Sequence, residues 1–350
     1  MKPVRLGIIG CGVMGSRHLS HAAECPAAEL VAAADLIPER VQGAAQQYDI
    51  TPYASGAELL RDDRVEAVVL AMPAGARTSL AFNALERGKH VLLEKPIASH
   101  ATEVERMIAL RGDRVAGCCS CRNTFTGHAQ AAARCVESGA LGDIRVVRVR
   151  ALDSASRPPS GDPPPWRQSM SLNGGGILVN WSCYDLDYLM FITGWRLRPR
   201  ALLARWWPVA EEMRAYVAPG SDADSHYIAL AICEGGIVLS MERGEFSSAA
   251  SDHAWEIIGT KGTLHMPMQR LKEIPDAVIL DRCTPDQGLV SERIWEGGQE
   301  TRQDQVLPDF LAAIQEGRPP RTSLERALII QKITDAIYAS SRSGASVSAQ

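Results

Sequence analysis

Val4-Arg5-Leu6-Gly7-Ile8-Ile9-Gly10-Cys11-Gly12-Val13-Met14-Gly15 is an apolar run that enters a G-x-G-x-x-G turn without a break. It predicts a strand over 4–9 and a helix over 13–24. Asp35 stands twenty residues past Gly15, at the end of a second apolar run. Gly10 allows the tight strand-to-helix turn, Gly12 lets the backbone approach a pyrophosphate, and Gly15 lets the helix pack close on the sheet. The helix start near Val13 offers free N–H groups and a positive dipole end to phosphates. Asp35 is placed to accept hydrogen bonds from a ribose diol. A lone glycine pattern is weak; strand, helix and acid around it predict a dinucleotide held by Gly10, Cys11, Gly12, Val13, Met14, Gly15 and Asp35. The Asp35 carboxylate would repel a 2′-phosphate, which favours NAD over NADP. No arginine follows in Leu36-Ile37-Pro38, although Arg40 is near.

Alternating strands and helices continue outward from this stretch. Strands are predicted at 30–34, 66–71, 90–93 and 114–119, with helices at 38–48, 55–61, 76–87 and 100–110. Continuous apolar strands separated by helices imply a parallel sheet covered on both faces, and right-handed crossovers make it doubly wound. Its ligand crevice lies outside the carboxyl ends of the strands. Pro73 and the Glu94-Lys95-Pro96 segment follow two such ends and open onto that crevice, so Pro73, Glu94 and Lys95 join the cofactor-binding set.

The pattern changes near residue 123. A helix over 128–138 ends at Gly139, and strands are predicted at 143–151, 200–207, 225–233, 236–243, 253–258 and 277–281. Val147 and Val149 alternate with Arg148 and Arg150, the mark of a sheet with one wet face. Gly235-Gly236 between apolar runs reads as a hairpin turn. The expected fold is therefore α/β: a Rossmann domain over 1–122, then an α/β domain over 123–350 with a large, mostly antiparallel open sheet and helices on one side. The open face is a natural subunit interface. Residues 153–172 hold five prolines (Pro158, Pro159, Pro163, Pro164, Pro165) and predict a long functional loop. Helices over 304–316 and 323–341 flank Gly317-Arg318-Pro319-Pro320, and the small, polar tail past Arg342 is expected to fray.

The chain has 350 residues, enough for two domains, with 46% hydrophobic and 22% charged residues, ordinary for a globular protein. A net charge of −4 gives no basic field for nucleic acid or membrane. No leader or membrane-length stretch is visible, so the expected location is the cytoplasm. The nine cysteines are an odd count. Cys118, Cys119 and Cys121 lack a second group at metal-site spacing, so no metal site is expected and reduced thiols are.

Lys95 ends a parallel strand at the crevice. A nearby nicotinamide and burial would both lower its pKa, letting it pass a proton to or from an oxygen whose carbon exchanges a hydride. A solvated strand-end lysine is the competing reading. A second constellation runs Trp166-Arg167, Gly174-Gly175-Gly176, Asn180, Tyr184, Asp185 and Asp187. Asn180 and Tyr184, four apart, share a helix face. Tyr184 is a candidate acid, with a core tyrosine whose hydroxyl is satisfied as the alternative. Asp185 and Asp187 read as helix-start and packing residues. Arg77, Arg122 and Asn123 read as structural or cofactor-adjacent, His18 as packed or cofactor-side, and His90 as structural.

These residues resemble the glucose–fructose oxidoreductase/inositol dehydrogenase (Gfo/Idh/MocA) family along nearly the whole chain. The marks are the glycine turn, Gly88-Lys89-His90-Val91-Leu92-Leu93-Glu94-Lys95-Pro96, Trp166-Arg167 with the triple glycine, Gly259-Thr260-Lys261-Gly262-Thr263-Leu264, and Asp309-Phe310-Leu311 with Gly317-Arg318-Pro319-Pro320. The resemblance implies reversible oxidation of a secondary alcohol on a sugar, cyclitol or related polyol, with a homodimer or homotetramer formed through the C-terminal sheet. It assigns Lys95 to substrate and nicotinamide. The family's aspartate, glycine and histidine after the triple glycine correspond here to Asn180, Ser182 and Tyr184, so the acid/base role passes to Tyr184. Trp166, Arg167, Asn180 and Arg122 are assigned to substrate binding, and Arg77 replaces a frequent histidine. Two other readings stay open: a glycoside-cleaving enzyme that retains NAD and works by transient oxidation and elimination, and a non-catalytic NAD-binding sensor.

Overall fold

A computed structural model describes residues 2–156, 159–269, 271, 274–298 and 305–349. Two compact units divide the chain. The first holds 1–122, 172–174 and 304–331; the second holds 123–171, 175–303 and 332–350.

The first unit carries a six-stranded parallel sheet in the order β3-β2-β1-β4-β5-β6. Its strands are β1 (Val4–Ile9), β2 (Ala28–Ala34), β3 (Thr51–Tyr53), β4 (Ala67–Leu70), β5 (His90–Leu93) and β6 (Ala116–Cys118). Between them run α1 (Val13–Glu24), α2 (Pro38–Tyr48), α3 (Gly56–Leu59), α4 (Ala74–Glu86) and α5 (Ala101–Arg111). Leu6, Ile8, Val68, Val69, Leu70, Val91 and Leu93 are fully buried, as strands covered on both faces must be. The strand order reverses between β1 and β4, which is where such sheets open a crevice. Strand β3 was not expected: three residues around Pro52 show no period, and the missing N–H is tolerated because β3 is the edge.

The second unit carries an eight-stranded sheet in the order β14-β13-β12-β11-β7-β10-β9-β8. Its strands are β7 (Ile144–Ser154), β8 (Pro199–Pro208), β9 (Asp224–Cys233), β10 (Val238–Ser247), β11 (Asp252–Gly259), β12 (Thr263–Met266), β13 (Ala277–Thr284) and β14 (Gly288–Glu296). All neighbours are antiparallel except β7 and β10. Strands β12 and β14 lie beyond those the sequence predicted, because one is four residues long and the apolar residues of the other do not alternate. Helices α6 (Gly127–Glu137), α7 (Met170–Asn173) and α8 (Cys183–Ile192) follow in chain order; α9 (Val306–Glu316) and the start of α10 (Leu324–Ser343) belong to the first unit. On β7, Val147, Val149 and Ala151 are buried while Arg148 and Arg150 face out to Glu256, Glu242 and Asp252. On the β8–β9 hairpin the outward residues Leu203, Ile228, Leu230 and Ile232 are apolar and exposed.

Two expectations need correction. The tail does not fray: α10 reaches Ser343, and Val347 exchanges both backbone hydrogen bonds with Leu202 at 2.9 Å. The edge strand β8 leaves backbone groups to pair, and the tail takes them. The loop over 153–172 is shorter than predicted, since β7 runs to Ser154 and α7 starts at Met170; Pro158 lies outside the described residues. Among the described residues no helix is long and apolar enough to cross a membrane.

Candidate active site

In the first unit the glycine turn is built as a cradle. Gly10 has φ +92°, and a Cβ there would lie 2.6 Å from the Ala71 carbonyl oxygen. A Cβ on Gly15 would lie 1.7 Å from the Gly10 oxygen, so α1 packs this close only with glycine. A Cβ on Gly12 would meet nothing nearer than Arg40 Nη1 at 3.7 Å. No side chain caps α1 and no acid stands in its first turn; Val13 is 78% exposed. These free amides and this open face fit a pyrophosphate. Asp35 closes the cradle: Oδ2 accepts from Cys11 N at 2.6 Å and Oδ1 from Ile37 N at 2.8 Å. An ionised carboxylate has about four lone-pair sites, so capacity for a ribose diol is left. Burial and Asp35 push the Cys11 thiol up to about 11 against the charge of Arg40.

The end of β5 is fixed from several sides. Arg77 is fully buried and donates to Met72 O at 2.5 Å and to Pro96 O, tying the ends of β4 and β5 together beside Pro73. Both contacts hold backbone, which fits the structural one of its two expected roles, structural or cofactor-adjacent. Lys95, half-buried and followed by a cis bond to Pro96, donates its backbone N–H to Glu94 Oε2 at 3.0 Å. Glu94 Oε1 lies 2.9 Å from His18 Nε2 and 3.7 Å from Arg122 Nη2. Burial alone would push the Glu94 carboxyl up, but the His18 hydrogen bond and the charges of His18, Arg122 and Lys95 hold it at about 2. His18, Glu94 and Cys119 offer ligand atoms within 4.8 Å of one another. We read His18 and Glu94 as a hydrogen-bonded pair, because the Arg122 guanidinium beside Glu94 repels a cation.

The folded pKa of Glu94 lies below its ordinary value of 4.5. The stabilisation is therefore complete above about pH 4.5, about 3 kcal/mol, and disappears as pH falls toward 2. The melting temperature of Glu94→Gln should trail wild type at neutral pH, and the gap should narrow as pH drops from about 6 to about 3. A gap that does not change with pH would contradict the assignment.

In the second unit the triple glycine leads into a π-helical turn, Leu178–Ser182, and then α8. A Cβ on Gly175 would lie 1.9 Å from Tyr338 Oη, and one on Gly176 would lie 1.9 Å from Asp224 O. Buried Asp224 caps the segment: its carboxylate accepts from Gly176 N and Leu178 N, both at 2.8 Å, and from Tyr338 Oη at 2.5 Å. Asn180 lies inside the π-turn, a geometry frequent at functional sites, and its Nδ2 donates to Arg167 O at 2.9 Å. Tyr184 is buried, with its ring edge-on to Trp181 at 5.8 Å. Asp185 is a packing residue: Arg243 donates to it twice, at 2.8 and 3.0 Å, and Trp255 Nε1 donates at 2.8 Å. Asp187 is fully buried. Trp166 is exposed, and Arg167 donates to Glu245 at 2.5 Å.

The structure thus gathers the turn with Asp35, and Glu94, Lys95 and Arg122 with His18, in the first unit. In the second unit it gathers Arg167, Asn180 and Tyr184. Sequence reasoning missed Asp153, Arg243, Glu245 and His253, all on the inward face of the second sheet. Strand parity could have found them. Arg243 and Glu245 stand in phase with buried Leu239 and Met241, Asp153 with Val149 and Ala151, and His253 with Trp255 and Ile257. His253 Nε2 lies 3.0 Å from Asp153 Oδ1.

Residues 4–115 match an oxidoreductase family described as an NAD-binding Rossmann fold, and 133–349 match its C-terminal alpha/beta domain. The chain is 28% identical over 279 residues to an inositol 2-dehydrogenase of Rubrobacter xylanophilus, covering 75% of this chain and 71% of that one. It is 27% identical over 334 residues to a dTDP-3,4-didehydro-2,6-dideoxy-alpha-D-glucose 3-reductase of Streptomyces violaceoruber, covering 87% and 89%. A levoglucosan dehydrogenase solved with NADH and L-sorbose has the same fold, with a TM-score of 0.82 at 23% identity over 100% of both chains.

Proposed function

The chain belongs to the Gfo/Idh/MocA oxidoreductase family through both of its domains, and from that premise we propose that it oxidises or reduces a secondary alcohol or ketone of a sugar, cyclitol or related polyol with NAD(H). The observation that carries this reading is the glycine cradle sealed by Asp35, whose carboxylate holds Cys11 N at 2.6 Å while the start of α1 stays open. NAD, when bound, supplies the hydride acceptor, and that chemistry is the cofactor's. Gly10 to Gly15 hold the pyrophosphate, Asp35 the ribose, and Pro73, Glu94 and Lys95 the nicotinamide end. Lys95 and Tyr184 hold and move the proton of the reacting oxygen. Trp166, Arg167, Asn180 and Arg122 orient the substrate. The direct test is NADH fluorescence from purified protein and NAD with a panel of sugars and inositols; at least one should give NADH, and a folded, NAD-binding protein that yields none would refute the reading.

Cofactor choice follows from Asp35. Asp35→Ser should lower the ratio of kcat/KM with NAD to that with NADP about tenfold, since a like charge facing the 2′-phosphate is removed. Wild type that prefers NADP would contradict this. The exposed apolar row Leu203, Ile228, Leu230 and Ile232 supports a homodimer or homotetramer through the open sheet. Nine free cysteines, eight of them at least partly buried, support a reducing, cytoplasmic setting.

A further inference from the structure

A cleft of about 280 Å³ in the second unit has a lining of which the proposed reaction uses only Arg167. Pro163 and Pro164 form part of its wall, with Tyr216 and Phe246, whose rings are tilted by 35° at 5.3 Å between centroids. Arg167 and Gln168 supply its polar side. Both donate to Glu245, which is buried, so the guanidinium is held in place. Its remaining N–H groups have no partner among the described residues. Phe246 has φ +58°, a left-handed conformation that is a genuine outlier for a bulky residue. Such strain persists where the fold over-determines a position, and it clusters at ligand clamps. Here it accompanies a ring set against Tyr216, with the Arg167 guanidinium 5.9 Å from its centroid.

The lining selects its occupant. Proline and aromatic faces suit a flat ring with little charge. Glu245 already balances the Arg167 charge, which disfavours a phosphate or carboxylate and leaves guanidinium N–H groups for a neutral oxygen. Arg167 also ties the cleft to the candidate site, because its carbonyl accepts from Asn180 Nδ2 at 2.9 Å, four residues before Tyr184. We propose that this cleft is an aglycone subsite: it takes the ring joined through a glycosidic oxygen to the sugar being oxidised, so the preferred substrate is a glycoside rather than a free sugar. This rests on the reading that the Asn180–Tyr184 segment handles a sugar.

The test is calorimetric titration of the full-length, NAD-loaded protein with methyl glycosides, 4-nitrophenyl glycosides and disaccharides of D-glucose, D-galactose and D-mannose. For at least one sugar, the two-ring ligand should bind about tenfold tighter than its methyl glycoside, the factor for burying one ring against aromatic faces. A preference for the nitrophenyl compound identifies an aryl aglycone, and one for the disaccharide a second sugar. Tyr216→Ala, in the turn Glu211–Tyr216 that holds no buried residue, and Phe246→Leu should each cut the ratio to about threefold or less. A wild-type ratio near one, a ratio that survives both substitutions, or no binding overturns the subsite. NADH fluorescence in the same samples separates the two proposals. Ring preference without NADH removes the oxidoreductase reading and keeps the subsite; NADH without ring preference does the reverse.

Discussion

Lys95→Ala is expected to lower kcat for NADH formation by about 10²–10⁴-fold, the usual scale for a general acid–base group. The lysine stands just past β5, at the carboxyl end of a parallel strand where such sheets bind their ligands. Its position is fixed rather than loose: its N–H is held by Glu94, and Arg77 grips the next carbonyl at Pro96. The His18 hydrogen bond and the Arg122 guanidinium keep Glu94 ionised beside it, so Lys95 follows an anion in the chain. Lys95→Arg distinguishes proton transfer from charge alone. Arginine keeps the cation but does not give up a proton in proteins, so this variant should stay slow if the proton is the point. Single-turnover rates measure both, and a Lys95→Ala variant within threefold of wild type would remove Lys95 from the chemistry.

Tyr184→Phe should cost a comparable factor, about 10²–10⁴ in kcat, with little change in melting temperature. The substitution removes one oxygen and keeps the ring that packs edge-on to Trp181. The segment beneath it is rigid for independent reasons: the Asp224 carboxylate caps it by accepting from two backbone N–H groups and the Tyr338 hydroxyl, and Asp185 is locked to Arg243 and Trp255. A structural tyrosine would give the opposite pattern, a lower melting temperature with turnover preserved. Turnover and melting temperature measured together on one preparation therefore decide the role.

The first unit was readable because its strands are continuous apolar runs and its turn carries a spaced glycine signature. The cradle and Asp35 were legible down to the residue, since the interaction that joins them spans one βαβ unit. Strand β3 escaped because three residues around Pro52 carry no period, and β14 because its apolar residues stand in adjacent pairs, Leu289-Val290 and Ile294-Trp295, instead of alternating. In the second unit the sequence marked Arg167, Asn180 and Tyr184 but not what fixes them. Glu245 lies 78 residues from Arg167, and Arg243 lies 58 from Asp185. Each of these contacts joins a strand to a loop or a helix, so tertiary packing makes it and no local pattern encodes it. The tail was misread for a similar reason: small, polar residues look frayed until an edge strand offers them a partner.

On the proposed reading, Lys95 and Tyr184 serve one proton on one substrate oxygen. The most direct measurement is the rate of NADH formation by wild type, Lys95→Ala, Tyr184→Phe and the double variant, on whichever polyol the screen identifies. Residues that act as a unit are strongly non-additive, so the double variant should fall little below the slower single one. Losses that multiply, or single variants that turn over like wild type, would contradict it.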